Sequence, residues 1–273
     1  MGGPTVSEAH NPHIWRIISP MVVHFYLSPH LDDAVLSCGG LIASQVAGGE
    51  GVIVLTVCAG DPGPGPHSEF AQSLHARWGG GSSLIGDRRT EDRMACGRLG
   101  ASVVHFDLPD AVYRQGLAGE VLYPSEEAIF AAPHPFETVL VESLAVRLTG
   151  ACPTNARVYC PSAIGGHVDH RLTRAAAERV GWGLWYYRDF PYAARGGTLP
   201  PDLPSPAGDE VVFPLSAEEV QAWAAAISEY PSQLSTFWPD VYTLYQELRA
   251  FHDRAGGIRL VEARGRASPV AGS

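Results

Sequence analysis

Two short clusters of histidine and aspartate carry the side chains of this sequence that could perform chemistry. They are residues 28–33 (SPHLDD) and residues 165–170 (GGHVDH). Together they offer three histidines, three aspartates and no cysteine. Two imidazoles and one carboxylate can hold a divalent cation and leave a coordination position for water. Because two of the aspartates are adjacent, one can bind the cation while the other takes a proton from that water.

Each cluster lies where a predicted β-strand gives way to a predicted α-helix. Residues 22–27 are a β-branched and aromatic run, and apolar residues recur at helical spacing over 32–46. A second strand and helix of this kind are predicted at 157–160 and 168–180. In open parallel sheets, ligands bind outside the carboxyl ends of the strands. We therefore expect the two clusters to meet at one edge of a sheet. The simpler alternative is that the aspartates only cap helices, as Asp32 could do.

The rest of the chain continues the alternation of strand and helix. Further strands are predicted at 52–58, 103–106 and 184–187, and further helices at 68–78, 88–99, 135–148, 216–229 and, in part, 232–251. Segment 191–214 is rich in glycine and proline and is predicted to be a loop, and the tail after Gly256 is expected to be loose. The pattern predicts an α/β fold. We expect a Rossmann-like, mostly parallel sheet flanked by helices, with a smaller C-terminal helical and strand extension.

This fold prediction implies a simple division of the chain. We expect a flexible N-terminal arm over 1–19, a Rossmann-like catalytic core over 20–190 and an extension over 191–273 that packs on the core as one structural unit.

Composition excludes several classes of function. All 19 basic residues are arginine, so the chain has no lysine for a Schiff base or a phosphate-binding loop. A formal net charge of −10 argues against a nucleic-acid partner. The apolar runs are short and no signal peptide is evident. We therefore expect no integral membrane association and a cytoplasmic protein whose five cysteines are free thiols.

The two clusters and the segments between them resemble the LmbE/PIG-L family of zinc-dependent N-acetylglucosamine de-N-acetylases. The family pattern is A-H-P-D-D-E early in the chain and H-P-D-H late. The segments 88–91 (RRTE), 106–110 (FDLPD) and 230–233 (YPSQ) also fit, so the resemblance covers roughly residues 22–235. Leu31, Ala34 and Val168 depart from the pattern, because they stand where the family has proline, glutamate and proline.

The resemblance implies a role for each ionisable residue of the two clusters. It implies one Zn²⁺ ion held by three ligands, His30, Asp33 and His170. It makes Asp32 the general base and makes His167 the support for the oxyanion, with Asp169 orienting His167 from behind.

The resemblance also implies a substrate. Arg88 matches an arginine that anchors the sugar, and Arg89 is the second choice; alternatively, Arg88 only pairs with a carboxylate of its own helix, Glu91 or Asp92. The segment 59–87, which carries Trp78, is long and hinged by glycine and proline, as binding loops often are. Trp223 and Trp238 could line a wide entrance.

The function that this resemblance implies is hydrolysis of the acetamide of an N-acetylglucosaminyl group on a bulky glycoconjugate. Within the family, the chain most resembles the pseudoaglycone deacetylases of teicoplanin-type glycopeptide antibiotic biosynthesis. A thiol-pseudodisaccharide or lipid conjugate of N-acetylglucosamine is the alternative substrate.

Two further alternatives stay open at this point. The H-x-D motif with a distant histidine also occurs in non-haem iron oxygenases, although those have β folds. A non-catalytic sugar-binding module with a structural metal is the other.

Overall fold

The computed structural model describes residues 22–65, 67–79 and 83–263, so the predicted arm over 1–19 lies outside the described residues. In these ranges seven strands form one sheet with the order β3-β2-β1-β4-β5-β7-β6. The strands are β1 (Val23–Ser28), β2 (Gly51–Thr56), β3 (Ser102–His105), β4 (Ala156–Pro161), β5 (Leu184–Tyr187), β6 (Asp209–Phe213) and β7 (Ile258–Ala263).

The helices connect the strands and cover both faces of the sheet. Those described are α1 (Asp33–Ala47), α2 (Glu69–Arg77), α3 (Leu84–Arg98), α4 (Glu126–Ile129), α5 (Glu137–Ala151), α6 (Val168–Val180), α7 (Ala217–Ile227), α8 (Pro231–Phe237) and α9 (Val241–Ala255). A short 3₁₀ helix spans Ala111–Tyr113. None of the helices in the described part of the chain is long and apolar enough to cross a membrane.

The sheet is mostly parallel, as the sequence predicted. Strands β1 to β5 pair in parallel, and β1 lies between β2 and β4 near the centre. Successive side chains of β1 point to opposite faces, so Phe25 and Leu27 enter one apolar core and Tyr26 enters the other. Helices α5 and α6 cover the first core, whereas α1, α7 and α9 cover the second. The α/β fold with helices on both faces is therefore confirmed.

The C-terminal segment is more regular than the sequence indicated. The predicted loop 191–214 contains β6, and the tail expected to be loose after Gly256 contains β7. Strand β7 pairs antiparallel with β5 on one side and with β6 on the other. These two strands gain their order from pairing with distant segments, which local sequence patterns do not report.

The packing of α1 against α7 depends on glycine at two consecutive positions of α1. A Cβ at Gly39 would lie 2.4 Å from Cδ1 of Trp223, and one at Gly40 would lie 2.4 Å from Cδ1 of Leu215. The Trp223 ring is fully buried, and its Nε1–H donates a hydrogen bond of 2.7 Å to the carbonyl oxygen of Val35. The ring therefore cannot move away without losing that bond.

We predict that Gly39→Ala lowers the free energy of unfolding by about 1–3 kcal/mol, because the added methyl group overpacks the α1–α7 contact. Denaturant unfolding measures the change. Gly97→Ala on α3 is the matched control: a Cβ there meets no atom of the described residues within 4 Å, so the helix preference of alanine should leave stability equal or raised. Equal stability of both variants would contradict the packing argument.

Candidate metal and catalytic site

Three neighbouring strand ends bring the candidate residues together. Strands β1, β4 and β5 are adjacent in the sheet, and their carboxyl ends lie at one edge. The first predicted cluster follows β1, and the second follows β4. Asp189 follows β5 and completes the site, although the sequence analysis did not single it out. The expected meeting of the two clusters is what the structure shows.

The carboxylate of Asp33 lies between two imidazoles. Its Oδ2 is 3.1 Å from Nδ1 of His30, and its Oδ1 is 3.3 Å from Nε2 of His170. The backbone N–H of His30 also donates to Oδ2 at 2.8 Å, which fixes the rotation of the carboxylate. These three side chains are the ones that the resemblance assigned to the metal, and the fold brings their donor atoms face to face.

In each imidazole, the ring nitrogen that faces away from Asp33 (the outer nitrogen) contacts another buried carboxylate. Nε2 of His30 is 2.9 Å from Oδ2 of Asp169, and Nδ1 of His170 is 2.7 Å from Oδ1 of Asp189. When the nitrogens that face Asp169 and Asp189 carry the N–H, the other nitrogen of each imidazole has a lone pair. That lone pair points at Asp33. Lone pairs facing a carboxylate need a positive charge between them. The donor set therefore fits a divalent cation, in the carboxylate–histidine–metal arrangement found around protein metals.

The pKa values of these groups show the same demand for positive charge. Burial alone would lower the pKa of His170, but the carboxylates of Asp33 and Asp189 outweigh it and raise the pKa to about 10. Burial would raise the pKa of Asp33, yet His170 and His30 hold it well below its usual range. Asp32 behaves differently, because burial and the adjacent Asp33 raise its pKa to about 7. The two adjacent carboxylates therefore occupy distinct environments.

The side chain of Asp32 does not cap a helix, which was the simpler alternative to a catalytic role. It stands at the N-cap of α1, but its side chain makes no capping hydrogen bond to any residue the structure describes. Its Oδ2 instead lies 3.8 Å from a guanidinium nitrogen of Arg88. The guanidinium of Arg88 also stacks on the ring of Trp78, 4.5 Å from the ring centroid. Arg88 thus faces the site and not Glu91 or Asp92 of its own helix.

A tight turn delivers His167 to the start of α6. Gly165 and Gly166 have φ values of +92° and +84°, and a Cβ at either position would lie 2.9 Å from the side chain of Tyr192 or of Pro200. Nδ1 of His167 accepts the backbone N–H of Asp169 at 3.2 Å. Burial and the nearby His30 ring lower the pKa of His167 well below its usual range. The neutral ring therefore carries its proton on Nε2, where it can act as a hydrogen-bond donor.

These groups line a cavity of about 310 Å³. His30, Asp32, Asp33 and His167 are on its wall, together with five aromatic residues: Phe70, Trp78, Phe130, Tyr192 and Phe237. A larger cavity of about 780 Å³ is lined in part by Leu108, Pro109, Tyr113 and Arg114 and contains none of the predicted site residues. We take the smaller cavity as the candidate active site because it holds the ionisable groups.

Three of the predicted site residues, Arg89, Asp169 and His170, do not line the cavity. Arg89 donates to the carbonyl oxygen of Ala59 at 2.8 Å and to the carboxylate of Asp61 at 2.9 Å. Asp169 is fully buried. Its backbone N–H donates to Nδ1 of His167, whereas its carboxylate contacts Nε2 of His30 and orients that ring. These contacts replace the expected side-chain pairing of Asp169 with His167.

The expected aromatic entrance is also composed differently. Trp223 and Trp238 are buried in the core and do not line the cavity. Tyr192, which the sequence analysis did not consider, does line it. Both Tyr192 and Asp189 could have been found by inspecting the residues after β5 in the same way as those after β1 and β4.

Comparison with known proteins places the chain in a family. Residues 25–180 match the family model of GlcNAc-PI de-N-acetylase, named PIG-L. The chain belongs to this family. A 2'-N-acetylparomamine deacetylase from Niallia circulans is 31% identical over 186 residues, which are 61% of this chain and 66% of that protein. The match therefore covers just under two thirds of that PIG-L relative.

Two solved structures are similar over nearly their whole length. The zinc-inhibited form of teicoplanin deacetylase Orf2 is 28% identical with a TM-score of 0.75, covering 89% of this chain and 99% of that chain. The A40926 pseudoaglycone deacetylase Dbv21 is 29% identical with a TM-score of 0.69, covering 92% of this chain and all (100%) of that chain. The arrangement of this PIG-L chain is thus shared with deacetylases.

We predict that the protein binds one divalent cation and that His30→Ala, Asp33→Ala and His170→Ala each abolish tight binding, whereas His167→Ala retains it. The distinction matters because, among the described residues, the two groups whose ligand atoms all lie within 4.8 Å of one another are His30, His167 and His170, and His30, Asp110 and Asp169. Calorimetric titration of the cation-free protein with Zn²⁺ measures the effect. Loss in His167→Ala together with retention in Asp33→Ala would place the cation among three imidazoles instead.

Proposed function

We propose that this protein is a divalent-cation-dependent N-deacetylase that hydrolyses the acetamide of an N-acetylglucosaminyl group on a bulky glycoconjugate. The observation that carries the proposal is the donor set of His30, Asp33 and His170. His30 and Asp33 line the cavity, His170 is buried beside Asp33, and Asp32 lines the cavity without belonging to the set. Zn²⁺ is the proposed cation. When bound, the cation supplies Lewis acidity toward the acetyl carbonyl and the attacking water.

Each remaining group of the cavity has a part in amide hydrolysis. The carboxylate of Asp32 takes a proton from the attacking water, whose oxygen bonds to the acetyl carbon. The Nε2–H of His167 donates a hydrogen bond to the carbonyl oxygen as negative charge develops on it. The C–N bond then breaks, the amine nitrogen receives the proton held by Asp32, and acetate and a free amino sugar result.

The cavity also contains groups suited to a sugar. Arg88 offers a fixed guanidinium beside Asp32, and Trp78 offers an apolar ring face stacked on that guanidinium. A guanidinium can donate to sugar hydroxyls, and an aromatic face can pack against the apolar face of a pyranose. We therefore assign Arg88 and Trp78 to substrate binding. Arg89 takes a supporting role, because it is held by Ala59 and Asp61.

Two substrate classes are supported by the relatives. The two solved structures are of a teicoplanin deacetylase and of an A40926 pseudoaglycone deacetylase, whereas the relative from Niallia circulans is named a 2'-N-acetylparomamine deacetylase. The near-complete overlap with the pseudoaglycone deacetylases favours a glycopeptide antibiotic pseudoaglycone as the substrate. The 31% identity to the paromamine enzyme is the observation that supports an aminoglycoside as the second candidate.

We predict that Asp32→Asn retains the cation but lowers kcat about 10²–10⁴-fold, because a neutral amide cannot accept the proton of the attacking water. The measurement is acetate release at saturating substrate, with cation content determined on the same sample. Asp107→Asn is the control, since Asp107 is an exposed residue paired with Arg147. Near-full turnover of Asp32→Asn would show that the base is another group.

We predict that Trp78→Ala raises KM for a glycopeptide pseudoaglycone more than for an N-acetylated aminoglycoside or free N-acetylglucosamine, because a bulky conjugate covers more of the half-buried Trp78 ring than a small sugar does. Acetate release on the three substrates gives the comparison. Tyr242→Ala is the control, because Tyr242 is an exposed aromatic residue of α9 that does not line the cavity. An equal rise in KM on all three substrates would count against a bulky substrate.

A further inference from the structure

Arg114 is a buried cation held between two buried carboxylates. Its Nη1 lies 2.5 Å from Oδ1 of Asp169, and its Nη2 lies 2.7 Å from Oε1 of Glu137. Nη1 also donates to the carbonyl oxygen of Pro109 at 3.3 Å, and the guanidinium lies over the ring of Tyr123. Arg114 follows the 3₁₀ helix, and Glu137 begins α5, so three separate segments meet at this guanidinium.

The two oxygens of Asp169 have separate partners. Oδ1 faces Arg114, whereas Oδ2 accepts the backbone N–H of Ala111 at 3.0 Å and faces Nε2 of His30 at 2.9 Å. The positive charge of the guanidinium beside Oδ1 opposes rotation of the carboxylate away from its contacts with Ala111 and His30. The position of Oδ2 in turn sets the direction of the His30 ring, and therefore the direction in which Nδ1 points.

We infer that Arg114 is a positioning residue for the candidate metal site, acting through Asp169 on His30, with Glu137 anchoring its second nitrogen. This inference rests on the proposed function, because it takes His30 as a ligand. Carboxylates that orient a metal-binding histidine typically change metal affinity about 10–100-fold when they are removed. Arg114 acts one contact further out, so we expect its removal to weaken cation binding about tenfold.

The planar fork of arginine suits this position better than lysine would. The two terminal nitrogens of one guanidinium reach Asp169 and Glu137 at the same time. A lysine ammonium is a single point charge, so it can neutralise one carboxylate but cannot hold two of them in fixed orientations. Arg114→Lys should therefore recover only part of the cation affinity that Arg114→Met loses.

Zn²⁺ titration of the cation-free protein tests the inference. Arg114→Met should raise the Zn²⁺ dissociation constant about tenfold, with Arg114→Lys between it and the unmodified protein. Arg174→Met is the matched control: Arg174 is another buried arginine, which bonds to Glu178 and to the carbonyl oxygens of Ser162 and Pro204. It should lower the melting temperature while leaving the dissociation constant within about twofold, because it acts on no ligand.

A double-mutant cycle separates positioning from general destabilisation. In an Asp169→Asn background, Arg114→Met should have little further effect on Zn²⁺ affinity if it acts through Asp169. An unchanged dissociation constant in Arg114→Met, with a lowered melting temperature, would overturn the inference and leave the proposed function intact. Failure of the unmodified protein to bind Zn²⁺ would overturn both.

Arg114→Met leaves two buried carboxylates without their cation, so the variant can fail to fold. Glu137→Gln then provides the test, because it keeps the shape of the side chain and removes the negative charge that faces Nη2. It should weaken Zn²⁺ binding measurably and by less than Asp169→Asn does. If Glu137→Gln has the same dissociation constant as the unmodified protein, Glu137 has no such role. If Arg114→Lys has an unchanged dissociation constant, the guanidinium fork is not required.

Discussion

The contact of one carboxylate with two imidazoles organises this structure. Asp33 lies between Nδ1 of His30 and Nε2 of His170, in a place that water barely reaches. A buried carboxylate facing two imidazoles is stable only when a proton or a cation lies among them. The turn after β1 and the first turn of α6 both serve to create this arrangement. The deacetylase chemistry that we propose follows from filling it with a divalent cation.

The surrounding polar groups are arranged outward from that contact. Asp169 and Asp189 take the outer nitrogens of the two imidazoles, and Arg114 neutralises Asp169 from behind. Asp32 remains beside the donor set without belonging to it. Because so many charges are buried together, each of them depends on its partner, and removing one leaves another uncompensated.

The sequence predicted the parts of the molecule that rest on local patterns. The parallel strands, the helices between them and the meeting of the two clusters follow from hydrophobic periodicity and from the rule for strand ends. Strands β6 and β7 were missed because their order comes from distant pairing. Asp189 was missed because a lone aspartate after β5 carries no motif. Arg89 was placed beside the substrate because sequence spacing alone cannot tell which of two adjacent arginines faces the cavity.

The central claim is that a divalent cation lies at Asp33 between the two imidazoles. Anomalous diffraction from crystals grown with Zn²⁺ tests it most directly. The account predicts one strong peak within about 2.0–2.2 Å of Nδ1 of His30, of Nε2 of His170 and of a carboxylate oxygen of Asp33, with Asp32 and His167 free of it. A peak ligated by His167 in place of Asp33, or the absence of a peak from this edge of the sheet, would contradict the account.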